Sequence, residues 1–182
     1  MDARIFEIVS YAILKYSYRS QEVYFGWTPE KLWKEQLKLY KTGRTNANDG
    51  GIDFVMKPLG RFFQVTETLD VKKYFLDIDK IERYPITFVI KSADDVKALQ
   101  ERLRSNAEKL YPVKAVIARY MKSIEEMINI PLLAEKFQGA VQEGQLKGIL
   151  DEIVIQSKVE FNYEDEEDED AEDDDAIMQN GR

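Results

Sequence analysis

The stretch 48–67, NDGGIDFVMKPLGRFFQVTE, decides how this chain is read. Two short apolar runs, 52–56 and 62–66, flank Lys57, Pro58, Leu59 and Gly60. Proline fixes its own φ and glycine accepts positive φ, so together they mark a tight reversal between two strands. Asp53 enters the first strand just past Gly50 and Gly51. Side-chain alternation puts Gln64 and Thr66 on one face of the second strand. An acid set among Ile, Phe, Val and Met is costly to bury without a partner, and a divalent metal is one such partner. The hairpin is therefore the candidate active site. Two plainer readings stand beside it: Asp53 as an Asx cap or loop anchor, and Gln64 as a buried amide that satisfies sheet-edge groups.

Upstream, periodicity predicts a helix from a cap at Asp2 to about Tyr18, with Ile5, Ile8, Val9, Ala12, Ile13 and Tyr16 as its apolar stripe. Glu7 lies beside that stripe. It is read either as a partly exposed helix acid or as a carboxylate serving the hairpin. Residues 22–25 read as a short edge strand. Thr28 and Pro29 then open a second predicted helix, with Leu32, Trp33, Gln36, Leu37 and Tyr40 on one face and a stop near Thr42 and Gly43. The segment 41–51, KTGRTNANDGG, is an ordinary connection or a loop whose Lys41, Arg44, Asn46 and Asn48 contact phosphates and base edges. It is not a P-loop, because no Gly-Lys-Ser/Thr follows a strand. Its glycines precede a strand instead of opening a helix, which excludes a dinucleotide fingerprint.

Downstream, Val71, Tyr74, Phe75, Ile78 and Ile81 recur at helical spacing and stop before Pro85. Residues 86–90, ITFVI, are almost continuously apolar, as suits a strand buried on both faces. Ser92 is expected to cap a helix over 93–111. Further helices are expected over 113–129, from Pro131 to about 141, and over 145–156. Met121 and Met127 read as core residues. Val159, Phe161 and Tyr163 alternate like a last edge strand. The fold class is thus α/β, a mixed sheet flanked by helices, with a helical C-terminal half. Residues 1–92 form the α/β core. Residues 93–158 form a helical support or partner-binding region, in the same domain or beside it. Residues 159–182 form the edge strand and an acidic tail.

Composition narrows the chemistry. The chain has 182 residues, and 44% are hydrophobic, enough for one real core. There is no Cys, so disulfides and thiolate metal sites are excluded, and no His, so histidine bases and zincin-type sites are excluded as well. Carboxylates, amides, hydroxyls, Lys, Arg, Tyr and a bound metal remain. The net charge of −8 is concentrated: residues 164–175 are eleven acids and one Ala. Without residues 164–182 the chain carries 23 acids and 25 bases, a net of +2. Such a body accommodates a nucleic-acid partner through a local basic surface. The like-charge block cannot form a core and is expected to be disordered, serving solubility, screening a basic cleft or mimicking nucleic-acid charge. No long apolar run or signal peptide is visible, which predicts a soluble cytoplasmic protein with no membrane partner.

FEIVSYAILK in the first helix, followed by NDGGIDF and FFQVTE, resembles the PD-(D/E)XK nuclease superfamily, most closely type II restriction endonucleases and the Mrr-like group with Gln in the second motif. The resemblance covers roughly residues 3–90 and implies a restriction-endonuclease-like fold. It implies catalytic roles for Asp53, Gln64 and Glu7, with metal on Asp53 and Gln64. Mg²⁺ is the implied cofactor, Mn²⁺ its substitute. Thr66 stands where the family carries a lysine, and a Thr hydroxyl is a poor base without positive charge. Glu67 is turned to the opposite face by alternation, which leaves Lys57, Lys72 and Lys73 as sources of a displaced ammonium. The implied function is sequence-specific hydrolysis of double-stranded DNA by a homodimer, since two cuts at a two-fold site match a two-fold protein. The alternative is a nuclease-fold DNA-binding subunit of a defence or repair complex with little turnover. A third class is an unrelated α/β protein, such as a phage structural or anti-defence factor.

Overall fold

The computed structural model describes residues 3–43 and 52–162. The predicted Asp2 cap, Arg44, Asn46, Asn48, Tyr163 and the acidic segment lie outside the described residues. Helix α1 (Ala3–Arg19) is followed by β1 (Glu22–Gly26), β2 (Leu32–Gln36), β3 (Lys38–Lys41), β4 (Phe54–Lys57) and β5 (Arg61–Thr66). Then come α2 (Val71–Lys80), β6 (Ile86–Ile90), α3 (Val96–Leu110), α4 (Lys114–Ser123), β7 (Ile124–Ile128), α5 (Ile130–Gln142) and α6 (Leu146–Phe161).

Five strands form a mixed sheet in the order β3-β4-β5-β6-β7, antiparallel from β3 to β5 and parallel from β5 to β7. Parallel neighbours need long crossovers, supplied by α2 between β5 and β6 and by α3 with α4 between β6 and β7. One face of the sheet buries Phe54, Met56, Phe63, Val89 and Ile128 against α1, α5 and α6. The other buries Ile86, Phe88, Ile90 and Met127 against α2, α3 and α4. β6 is buried at all five positions, as its unbroken apolar run requires. The α/β expectation of a mixed sheet with flanking helices is met.

The 52–66 hairpin forms as the turn chemistry dictates. Gly60 has φ +65°, and its N–H donates to the Met56 carbonyl at 2.9 Å. The edge strand expected over 22–25 is β1, and it pairs with β2 in a separate two-stranded sheet.

Four expectations are corrected. The helix expected from Thr28 to Thr42 is two strands. Leu32, Trp33, Gln36, Leu37 and Tyr40 fit one helical face, but Glu22↔Gln36 to Gly26↔Leu32 pairing and the Phe25–Trp33 ring contact at 5.4 Å override that propensity. Gly26 permits the β1–β2 approach, because a Cβ there would collide with the Lys31 carbonyl. The helix expected over 113–129 ends at Ser123, where β7 begins and pairs with β6. Adjacent Met127 and Ile128 are buried on opposite faces of the sheet, as only a strand can arrange. Val159–Phe161 continues α6 instead of forming an edge strand. Finally, α3 is capped by Asp95, whose Oδ1 accepts from the Lys97 and Ala98 N–H groups; Ser92 accepts from Asp94 N–H in the preceding turn.

Residues 93–158 contribute both a strand to the sheet and helices to its two faces, with α5 and α6 packed on α1. Met127 is fully buried, and Met121 is partly buried against the same core.

Candidate active site

Asp53 lies one residue before β4, at the open end of its pairing with β5. Its backbone N–H donates to the Phe63 carbonyl at 3.1 Å, and its carbonyl accepts from Thr42 N–H at 3.0 Å. The register Phe54↔Phe63, carried one step further, brings Asp53 opposite Gln64. The Asp53 side chain then turns back into the ladder: its Oδ2 accepts the Val65 backbone N–H at 2.6 Å. The anchoring reading of Asp53 is therefore part of its role. A second carboxylate oxygen remains for another partner.

Burial, and after it the nearby Glu7 carboxyl, push the Asp53 carboxyl up to about 7. The Val65 N–H and the Lys73 ammonium pull the other way, and Asp77 adds to the rise. Asp53 thus feels acids from α1 and α2 together, with one cation opposing them. Gln64 is 5% exposed. Its Nε2 approaches the Val65 carbonyl at 3.4 Å, while its Oε1 is buried without a hydrogen-bond partner. An orphaned amide oxygen beside a carboxyl at the upper end of its range is a local shortage of positive charge or donated protons.

Glu7 is buried on α1, and Lys41 of β3 reaches it with Nζ 3.0 Å from Oε1. The Lys41 side chain is only 11% exposed. Lys41 thus turns into the corner, where it neutralises Glu7, and is not presented on the loop as expected for a phosphate contact. The burial of Glu7 also removes the reading of it as a partly exposed helix acid.

Thr66 is buried, and its hydroxyl is committed locally: it donates to the Thr68 carbonyl at 3.0 Å and accepts from Thr68 N–H at 3.4 Å. Glu67 pairs with Lys91. Among the lysines considered as substitutes, Lys57 lies over the Tyr40 ring at 5.2 Å, at the turn end of β4 and away from Asp53. Lys73, exposed on the first turn of α2, is the lysine whose charge acts on Asp53.

Asp77 was not singled out from the sequence. It is buried on α2, where Lys80 Nζ reaches its Oδ1 at 3.3 Å and its Oδ2 has no partner; burial raises its carboxyl. The signal was present: Asp77 follows Tyr74 by three residues, on the stripe that Val71, Tyr74, Phe75 and Ile78 make apolar. Among the described residues no three acidic side chains converge within reach of one metal ion. The oxygen donors are the free Asp53 oxygen, Gln64 Oε1 and, if released from Lys41, Glu7. Such hard donors fit a weakly held divalent cation completed by water or a phosphate oxygen.

No protein-family model matches the chain, and comparisons with curated proteins and with solved structures find no match.

Proposed function

We propose that the chain is a Mg²⁺-dependent DNA endonuclease of the type II restriction kind, belonging to the PD-(D/E)XK superfamily, with Asp53 and Gln64 at its metal corner and Glu7 assisting. The observation that carries this reading is the pairing of a carboxyl raised to about 7 with a buried, partnerless amide oxygen across one strand pair. A divalent cation would satisfy both groups at once. The mixed sheet, with its antiparallel β3-β4-β5 and a parallel β6 after a crossover helix, agrees with the fold the resemblance implies.

When bound, the ion supplies Lewis acidity toward a phosphodiester oxygen and an acidified water. The protein supplies the rest. Asp53 is held by the Val65 N–H so that one oxygen faces the corner. Glu7 and Lys41 are paired there at 3.0 Å. Lys73 is the cation placed to offset phosphate charge, in place of a lysine at position 66. Two strand cuts at a two-fold site favour a homodimer.

Plasmid nicking with Mg²⁺ or Mn²⁺ tests the proposal against Asp53→Ala. Metal-independent nicking, or full activity in the variant, sinks it. A second reading, a nuclease-fold DNA-binding subunit with little turnover, is favoured by Thr66, whose hydroxyl is spent on its own turn. Calorimetry separates the two: DNA affinity retained without any heat of Mg²⁺ or Mn²⁺ binding supports the binding subunit.

A further inference from the structure

β1 and β2 stand outside the five-stranded sheet as a ribbon, so each has an edge with no strand beside it. The register decides which backbone groups lie on that edge. The Leu37 N–H donates to the Gln21 carbonyl at 3.0 Å, one step beyond the Glu22↔Gln36 pair. Hydrogen-bonded pairs alternate with open ones along an antiparallel ladder, so Val23 and Phe25 bond inward to β2. Glu22, Tyr24 and Gly26 then turn their N–H and C=O groups outward. Among the described residues these groups have no hydrogen-bond partner.

The two free edges are not alike. β2 turns Leu32, Lys34 and Gln36 outward, and a copy pairing about Lys34 would set lysine against lysine. β1 has one charge, Glu22, at its end and a tyrosine at its middle, so nothing on it discourages a further strand. Its side chains are also the most exposed aromatics of the fold: Tyr24 is 74% and Trp27 85% exposed. On the face opposite Tyr24, Trp27 and Trp33 pack edge-on against Phe25, with centroids at 6.4 and 5.4 Å. Trp33 Nε1 donates to Glu35 Oε1 at 2.8 Å, which fixes that ring. The ribbon thus presents an open edge flanked by ordered aromatic surface.

We propose that β1 pairs with β1 of a second copy, antiparallel and centred on Tyr24, to form one four-stranded sheet across a two-fold axis. In that register Tyr24 faces its counterpart, Glu22 faces Gly26 and Val23 faces Phe25. Each outward residue meets another outward residue, so every unpaired N–H and C=O finds a partner. The two Glu22 carboxylates lie at opposite ends, and Val23 extends the Phe25–Trp33 face across the junction. An edge that reads the same from both ends selects its own copy over an unrelated peptide. The area agrees: aromatic side chains bury about 150–250 Å² each, so Tyr24 and Trp27 offer roughly 300–400 Å² per copy. A standard interface of about 800 Å² per partner needs about 450 Å² of apolar surface, and Val23, Phe25 and the exposed Leu32 supply the remainder. The pairing rests on the homodimer reading above for its use, and its geometry needs no metal at Asp53.

The test is sedimentation velocity of the full chain over a concentration series, which is expected to show a monomer–dimer equilibrium. Tyr24→Pro removes an outward N–H while sparing the bonds to β2, and is expected to weaken the dimer about tenfold or more. Lys34→Pro does the same to the β2 edge and is expected to change it less than about twofold. Melting curves check that both variants fold. Because the chain has no cysteine, an introduced thiol reports the register independently. Tyr24→Cys sets that thiol opposite its own copy, at a Cα separation of about 5.5 Å that a disulfide spans. Mild oxidation should crosslink it at least about tenfold faster than Lys34→Cys. A chain that stays monomeric at about 100 μM overturns the proposal together with the homodimer, and leaves the Asp53 nicking test standing. A dimer unchanged by Tyr24→Pro, or equal crosslinking from positions 24 and 34, overturns the β1 edge alone.

Discussion

Asp53→Asn should change how stability depends on pH. Folding raises the Asp53 carboxyl from 3.8 to about 7, so the folded state holds a proton that the unfolded state has already lost between those values. The group therefore costs nothing below about pH 4. Stability falls as pH rises through the window from about 4 to 7 and levels off above it. About three pH units at about 1.4 kcal/mol each set a ceiling of about 4 kcal/mol on the loss. Asparagine keeps an acceptor for Val65 N–H but cannot ionise, so the variant should show no such slope. Urea unfolding from pH 4 to 8.5 in EDTA measures it. The stability of the native protein minus that of the variant should fall by about 2–4 kcal/mol across the window. Adding Mg²⁺ at pH 8 should return part of this to the native protein alone, about 2.7 kcal/mol when the ion is at a hundred times its dissociation constant. A difference that stays flat, or rises with pH, would mean that Asp53 is ionised and partnered in the fold, and the reasoning would fail.

Lys41→Met should cost about 3–5 kcal/mol by chemical denaturation, because it leaves Glu7 buried without its ion-pair partner. The double variant Lys41→Met with Glu7→Gln should recover most of that loss; no recovery means that the pair is not coupled. Arg61→Gln should cost about 2–4 kcal/mol, since Arg61 joins Thr87 on β6 at 2.9 Å to Glu125 and Glu126 on β7 at 2.9 and 2.7 Å. Hydrogen exchange should then rise first in β7, and unchanged protection there would count against its register. Phe88→Ala should cost about 3–5 kcal/mol, as its fully buried ring stacks on Tyr74 at 4.0 Å. A melting shift too small for 1 kcal/mol would contradict that packing.

The hairpin was legible because its determinants are local. Gly60 accepts the positive φ, and alternation from Phe63 to Thr66 needs only the strand itself. β6 was legible because five successive apolar or small residues leave no solvent face. Residues 32–41 were not legible, because their apolar spacing suits a helix and two strands alike. The partners that choose between them lie at 22–26 and 54–57. For 124–128 the deciding partner is β6, more than thirty residues upstream.

The same division runs through the candidate site. Residue type and strand alternation alone put an acid, an amide and a threonine together on one hairpin, and the absence of His and Cys confined its chemistry to oxygen donors. Tertiary structure decided what those groups meet. Lys41 is 34 residues from Glu7 yet neutralises it, Lys73 and Asp77 act on Asp53 from α2, and Gln64 Oε1 is left without a partner. Charge acts through space and burial, and neither can be read until the chain has brought distant residues side by side.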